Sequence, residues 1–335
     1  MPHSDALAAQ VRADPRWLPH TFDPANGMLA FLQTPRARLS QTAFLADLGG
    51  EGGYKGAQLP LAALGTLTSP GNAGDLHPPH RLLPLDLAGA RARAAGDQHR
   101  SVRAGHYPRL AGAGASGQAA IGPVAGLLAR PWGTGEAVFI KPTNHANMLA
   151  PAQMRALPQA RAVLVTNPLP SFLAAVVRRG MMGRRWGRQL YLELMAYAGM
   201  DLDMDGREQF LMTDLQATAL AWFLNRRFLA ALASNFGDRV RVLDGDAFGR
   251  DPAAILAAVY AFAGKAVSPE QIAAIASGPM FARDAKTGED YAAKSARDGA
   301  ATGSTVTEDE IAKVSEWIGL IARQTGLSVP LKQTL

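Results

Sequence analysis

The sequence predicts an α/β domain with a mostly parallel central sheet and crossover helices. Short apolar runs alternate with helical patterns along the chain, and each run is followed at once by polar or turn residues. Strands buried on both faces of a sheet have this pattern. No internal repeat is present, which excludes solenoids and propellers. The 335 residues suffice for one large domain, so we expect a single domain over residues 1–335, with loop or helical excursions at about 49–100, 111–135 and 180–210.

Five apolar runs are the predicted strands of this sheet. They are Met28–Leu32, Ser101–Ala104, Ala137–Ile140, Ala162–Val165 and Arg239–Leu243. In an open parallel sheet, ligands bind beyond the carboxyl ends of the strands. The residues that directly follow these runs are therefore the candidate functional residues.

Capping residues predict where several helices begin and end. Asp251–Pro252 combines an N-cap with a proline in the first turn, and Ser268–Gln271 and Thr307–Glu310 have the spacing of capping boxes. An apolar stripe at three- and four-residue spacing over Leu220–Leu232 predicts a further helix that packs on the sheet. The predicted helix ends are Gly237, Gly264 and Gly326.

Composition narrows the classes of function. The chain has 34 Lys+Arg against 28 Asp+Glu, a net charge of +6, and a pI of about 9.8, which favours an anionic ligand or substrate. An excess this small over the whole chain equally fits a surface rich in arginine, and we expect no nucleic-acid partner. There is no cysteine, which excludes disulfides, thiolate metal ligands and cysteine nucleophiles.

The sequence shows no membrane span and no secretory leader. The most apolar stretch, Leu215–Ala233, carries Arg226 and Arg227 in its middle, whereas a spanning helix needs about 20 mostly apolar residues. The first residues form neither a basic region nor an apolar one. We therefore expect a cytoplasmic protein.

The loop after the first predicted strand has the composition of an anion site. It runs from Gln33 to Thr42 and precedes a predicted helix, so backbone N–H groups would point at a bound anion. The loop residues assigned to this site are Pro35, Arg36, Arg38, Ser40, Gln41 and Thr42. The glycine and lysine of a Walker A loop are absent, and an ordinary strand-to-helix turn is the alternative interpretation.

Polar residues also follow the other predicted strands. They are Gly105–Pro108 with His106, Lys141–His145, Thr166–Pro168 with Asn167, and Asp244–Phe248. Lys141 and His145 are four residues apart, so they would share one face if this segment were helical. Such groups at successive strand ends predict one binding site at the edge of the sheet.

These segments resemble the sulfotransferase superfamily. Val138–His145 is similar to the family's strand ending in K-x-P-x-H, and Val240–Pro252 is similar to its later acidic D-P segment. The resemblance covers roughly residues 25–50 and 100–300. It implies a three-layer α/β/α, P-loop NTPase-like sulfotransferase fold that moves a sulfuryl group from 3′-phosphoadenosine 5′-phosphosulfate (PAPS) to a hydroxyl or amine of a small-molecule or carbohydrate acceptor.

The chain departs from the family's pattern at the donor site. Pro35, Arg36 and Ser40 match the phosphosulfate loop, but Ala37–Leu39 replaces its Ser-Gly-Thr. Thr166 and Ala174 stand where the family has the arginine and serine that hold the 3′-phosphate. Two basic groups could compensate for them or form solvated surface. The first group is Arg178, Arg179, Arg184, Arg185 and Arg188, and the second is Arg283, Lys286, Lys294 and Arg297.

The resemblance also implies roles for single residues. Arg36 and Ser40 would hold the phosphosulfate, and Lys141 would neutralise the leaving phosphate. The base that removes the acceptor proton would be His145 or His106. No metal is expected, since His77 and His80 flank two prolines and lack a nearby carboxylate cluster.

Two other functions remain open. A relative without catalysis, or with an altered donor, would bind an anionic ligand or partner, and the changed donor residues favour it. A nucleotide-dependent phosphotransferase would use Asp244 in place of a Walker B aspartate, although no Gly-Lys-[Ser/Thr] loop is present. A serine hydrolase is not indicated, because Ser116 lies in a predicted loop rather than at a strand-to-helix turn.

Overall fold

The computed structural model describes most of the chain in two compact units. The described residues are 2–35, 37, 55–64, 81–86, 99–104, 114–133, 136–142, 144–278, 290, 293, 304–329, 331, 332, 334 and 335. Unit 1 contains the described residues up to Leu164 apart from the segment 88–91, together with Val259–Val267. Unit 2 contains Val165–Ala258 and the described residues of Ser268–Leu335.

The first sheet of unit 1 is antiparallel. Its strands β1 (Trp17–Asp23), β2 (Met28–Gln33) and β3 (Gly56–Pro60) lie in the order β1-β2-β3. Leu29 and Phe31 of β2 are buried while the residues between them are partly exposed, as expected for a sheet with one buried face. The assignment of Met28–Leu32 to the parallel sheet was therefore wrong.

A local turn explains why β2 pairs with β1. Asp23 accepts hydrogen bonds from the backbone of Ala25 (3.0 Å) and the side chain of Asn26 (2.7 Å). Gly27 then takes a φ of 61°, which glycine adopts without strain. The Asn-Gly pair is a hairpin signal, and this local turn competes with a crossover connection.

The second sheet has the predicted parallel pattern. Its strands are β4 (Arg81–Asp86), β5 (His99–Ala104), β6 (Ala137–Pro142), β7 (Ala160–Thr166) and β8 (Val240–Asp244). The strand order is β5-β6-β4-β7-β8, and β4 and β5 each pair with β6 in parallel. Nearly all residues of β6 and β7 are buried. The α/β class and the last four predicted strands are confirmed, with ends that shift by at most two residues.

The strand β4 was not predicted, although it lies at the centre of this sheet. Residues 49–100 were interpreted as an excursion, and they contain both β3 and β4. Pro84 lies inside β4, and a proline normally argues against a central strand because it donates no backbone hydrogen bond.

Eleven helices of more than one turn occur in the described residues. In chain order they are α1 (Pro2–Ala13), α2 (Gly114–Leu128), α3 (Ala150–Ala156), α4 (Leu169–Val177), α5 (Gly180–Ala198), α6 (Gly206–Leu211), α7 (Asp214–Phe236), α8 (Gly245–Arg250), α9 (Pro252–Phe262), α10 (Pro269–Ala276) and α11 (Thr305–Gln324). None of them is long and apolar enough to span a membrane.

Most of the predicted helix boundaries are confirmed. Ser268 and Gln271 form the capping box of α10, Asp251 accepts from the backbone of Ala254 at the start of α9 (2.9 Å), and Gly237 ends α7. The capping box at Thr307–Glu310 was wrong. The helix α11 begins at Thr305, and the Glu310 carboxylate instead pairs with Arg184 of α5 at 3.1 Å.

The long helix α7 forms the core of unit 2. Fourteen of its residues are buried, and it packs along α5 over much of its length. At the closest approach, Gly187 of α5 lies against the side chain of Thr218, so that a methyl group there would overlap it. The close packing of α5 on α7 therefore depends on a glycine, which has no side chain, at position 187.

Candidate functional site

In unit 1 the predicted catalytic residues Lys141 and His145 lie at the end of β6 and in the turn that follows it. Lys141 is a half-buried residue of β6, and its Cα register partner in β5 is Arg103. His145 lies in the 3₁₀ turn Asn144–Leu149, which contacts β4. The two predicted residues are therefore close in the chain but do not share a helical face, since Lys141 is still in a strand.

One buried amide lies in this turn, and a second lies in the helix α3 that follows it. Asn147 is 2% exposed and Gln153 is 0% exposed. Within the described part of the chain, the Asn147 Oδ1 and both polar side-chain atoms of Gln153 have no hydrogen-bond partner. Buried amides are normally bonded to protein, water or ligand, so these residues mark the chain after Lys141 as a polar region inside unit 1.

In unit 2 the chain after β7 is held by the protein itself. Thr166 is 3% exposed, and its hydroxyl points to the carbonyl oxygen of Leu243 at 3.5 Å. The carbonyl oxygen of Asn167 accepts two hydrogen bonds, from Trp222 Nε1 (2.9 Å) and Arg226 Nη2 (2.8 Å). Thr166 thus faces backbone, whereas Asn167 anchors the turn to α7.

Arg226 of α7 is a buried cation to which the sequence patterns assign no site role. Its side chain is 4% exposed, and burial lowers its pKa to about 10 against the opposing effect of the Asp244 carboxylate. Its Nε has no hydrogen-bond partner in the described residues, nor do the amide atoms of the neighbouring Asn225. In the sequence, the sign of a special role for Arg226 is its position inside an apolar helical pattern. That position was interpreted only as evidence against a membrane-spanning helix.

The aspartates after β8 have structural partners. Asp244 caps α8 by accepting from the backbone N–H of Asp246 (2.8 Å) and Ala247 (3.3 Å). Ser171 donates its hydroxyl hydrogen to Asp246 at 2.5 Å, which joins the start of α4 to the start of α8. The residue considered as a Walker B aspartate is an N-cap in this structure.

The arginines around the start of α5 divide into two kinds. Arg184 pairs with Glu310, and Arg188 lies 3.4 Å from Asp214 and donates to the Met212 carbonyl. Arg179 and Arg185 are exposed, and their guanidinium groups have no hydrogen-bond or ion-pair partner among the described residues. These contacts show that Arg184 and Arg188 connect helices rather than extend freely into solvent.

The remaining predicted site residues lie mostly outside the described residues. They are Arg36, Arg38, Ser40, Gln41, Thr42, His106, Arg283 and Lys286. Pro35 is described and exposed. It follows β2, so the predicted anion loop leaves an antiparallel strand rather than the carboxyl edge of the parallel sheet.

The described residues do not indicate a metal centre, and no known family matches the chain. In the described ranges, no group of three or more His, Asp or Glu side chains could hold a metal ion. Comparison with protein families gives no matching family model, and comparison with curated proteins gives no matching sequence.

Proposed function

We propose that this chain is a sulfotransferase-like protein that transfers a sulfuryl group from PAPS to a hydroxyl or amine acceptor. The position of Lys141 carries the proposal. It lies at the carboxyl end of β6, which neighbours the central strand β4. From β4 the chain continues to β5 and β6 on one side of β4, and it then crosses to β7 on the other side. Ligands of open α/β sheets bind at such a switch point.

The residue types at this point suit transfer of a charged group. Sulfuryl transfer, like phosphoryl transfer, depends mainly on positioning and on stabilising charge that develops on the leaving oxygen. Lys141 would supply positive charge there. His145, in the turn that follows, would take the acceptor proton, with His106 as the alternative base.

A relative that lacks catalysis or uses another donor is the second candidate. Two observations favour it. Thr166 is buried against backbone at the position where the family has a phosphate-binding arginine, and the loop with Pro35 follows a strand of the antiparallel sheet. An uncharged hydroxyl cannot replace a charge-assisted contact.

Ligand-dependent unfolding tests the donor. Thermal unfolding of the full chain is measured with 3′-phosphoadenosine 5′-phosphate, with Mg-ATP and with 5′-AMP. A ligand at about 100 times its dissociation constant adds about 2.7 kcal/mol to the free energy of unfolding. A shift specific to the 3′-phosphorylated nucleotide supports a PAPS site, a shift with Mg-ATP alone supports a phosphotransferase, and no shift rejects PAPS as donor.

A measurement of sulfuryl transfer distinguishes the active sulfotransferase from the relative that lacks catalysis or uses another donor. Product formation from PAPS is followed by mass spectrometry with a panel of hydroxyl and amine acceptors. Lys141→Ala is expected to lower the rate by about 10²-fold or more, while Lys332→Ala, at an exposed lysine, leaves it unchanged. Nucleotide binding without transfer would favour the second candidate, and full activity of Lys141→Ala would contradict the assigned mechanism.

A further inference from the structure

Unit 2 contains a groove whose lining is partly apolar and partly polar. It has a volume of about 340 Å³ and lies between the C-terminal half of α5 and the segment that leads into α6. Its apolar lining comes largely from Met195, Met200, Leu202 and Met204. Methionine side chains are flexible and polarizable, so they adapt to ligands of different shape. The volume falls in the range of small-molecule sites.

The wall of this groove is anchored at both ends. Arg227 of α7 donates from Nη2 to the carbonyl oxygens of Ala198 (3.1 Å) and Gly199 (2.8 Å) at the end of α5. At the other end, Gln209 of α6 donates to the Met204 carbonyl at 3.1 Å. The groove is therefore a built feature of unit 2.

The middle of this wall holds a strained residue. Asp203 has a φ of 56° and is the non-glycine residue with positive φ in the described chain. Its backbone N–H donates to the Asp201 carboxylate at 2.8 Å. Strain of this kind persists where the surrounding contacts enforce it, and it is concentrated at binding sites.

The segment that leads from the groove into α6 is acidic, although the whole chain is basic. The segment 201–208 contains four carboxylates, Asp201, Asp203, Asp205 and Glu208, against the single cation of Arg207. Asp205 and Glu208 form the capping box of α6, whereas Asp201 lines the groove, and its carboxylate has no cationic partner among the described residues. A carboxylate at the groove attracts a cation and repels an anion.

We propose that this groove binds a small amphiphile with an aliphatic body and a positively charged head group. The body lies on the side chains of Met195, Met200 and Met204, and the head group lies beside Asp201. The inference goes beyond sulfuryl transfer and does not depend on it, because the groove, its charge and its anchoring belong to unit 2 alone.

Three probes of equal chain length test the charge preference. Octyltrimethylammonium, octyl sulfate and octanol are titrated calorimetrically into the full chain at low salt, below the concentrations at which micelles form. Saturable binding is expected for the cation, with at least about fivefold weaker binding of the other two. The affinity for the cation should fall as salt is raised, because exposed charges are screened.

A conservative variant locates the site. Asp201→Asn removes the charge but keeps an oxygen that can accept from the Asp203 N–H, and it should weaken binding of the cation about fivefold. Asp238→Asn, at a fully exposed aspartate of unit 2, is the matched control and should bind like the unchanged protein. Equal binding of all three probes, no saturable binding of the cation, or equal effects of the two substitutions would overturn the proposal. None of these results depends on whether PAPS binds.

Discussion

Arg226 and Trp222 donate hydrogen bonds to the same acceptor, the carbonyl oxygen of Asn167. The guanidinium carbon of Arg226 also lies 4.7 Å from the centroid of the Trp222 ring, a distance at which cation and ring attract each other. These contacts join the middle of α7 to the turn at the end of β7. The shared acceptor makes the two side chains energetically dependent on each other.

A double-mutant cycle should show this dependence. Trp222→Phe removes one donor and should lower the free energy of unfolding by about 1–2 kcal/mol, and Arg226→Met removes the other while keeping most of the volume. In the double variant the Asn167 carbonyl has neither donor, so the loss should exceed the sum of the single losses by at least about 0.5 kcal/mol. Urea unfolding measures all four proteins. Additive losses would mean that the two donors act independently.

Arg130 should be sensitive even to substitution by lysine. Its guanidinium donates to the carbonyl oxygens of Val11 and Arg12 (both 2.7 Å) and Trp17 (2.9 Å), which ties the ends of α1 and α2 to β1. A lysine is expected to cost about 2 kcal/mol, because one ammonium group cannot reproduce the planar fork. Chemical unfolding checks the loss.

The matched control for Arg130 is Arg16. Its guanidinium pairs with Asp14 at 2.9 Å, but the side chain is 60% exposed. Exposed ion pairs contribute little, so Arg16→Lys should leave the free energy of unfolding nearly unchanged. A loss equal to that of Arg130→Lys would contradict the importance of the buried carbonyl contacts.

Gly187→Ala should destabilise unit 2 despite the better helix propensity of alanine. The added methyl group would overlap Thr218 on α7, and overpacking of this kind costs about 1–3 kcal/mol. Gly249→Ala in α8 is the control, because it has open space around the new methyl group and should be neutral or stabilising. Thermal unfolding compares the two, and equal midpoints would show that α5 and α7 separate easily.

The burial of Tyr260 predicts that the folded protein loses stability at high pH. Burial raises its pKa to about 12, while an unfolded tyrosine titrates near pH 10. Between these values the unfolded state binds fewer protons than the folded state, so the free energy of unfolding falls as pH rises, by at most about 1.4 kcal/mol per pH unit for one group. The contribution is complete below about pH 10.

Tyr260→Phe isolates this effect. Its ring can keep the edge contact with Phe139, whose centroid lies 6.4 Å away, but it cannot ionise. Urea unfolding at pH 9 and pH 11 should show a smaller drop in the variant than in the unchanged protein. An identical drop in both would show that other groups cause the alkaline loss.

Local patterns in the sequence predicted the elements that depend on near neighbours. The runs Ala137–Ile140 and Ala162–Val165 are apolar throughout because both faces of their strands are buried. The capping box at Ser268 and the glycine end at Gly237 act within one helical turn, so their residues alone determine them.

Local patterns did not determine which of the two sheets a strand belongs to. Met28–Leu32 is a strand in both the prediction and the structure, but the hairpin turn at Gly27 places it in the antiparallel sheet. Pro84 argues against a strand at the position of β4, and the central place of β4 in the sheet depends on pairing with distant strands. The hairpin signal at Asn26–Gly27 is present in the sequence, whereas the pairing of β4 is set by contacts with distant strands, which a pattern along the chain does not contain.

The sequence by itself determined the α/β class, four strands of the parallel sheet, most helix boundaries and the residue types at the strand ends. Tertiary structure alone decided the strand order, the burial of Arg226 against Trp222, and the groove lined by Met195 and Met204. The physical reason is range: capping and hydrophobic periodicity act over a few residues, whereas the Arg226 contact with Asn167 and the Arg227 contacts that anchor the groove join segments far apart in the chain.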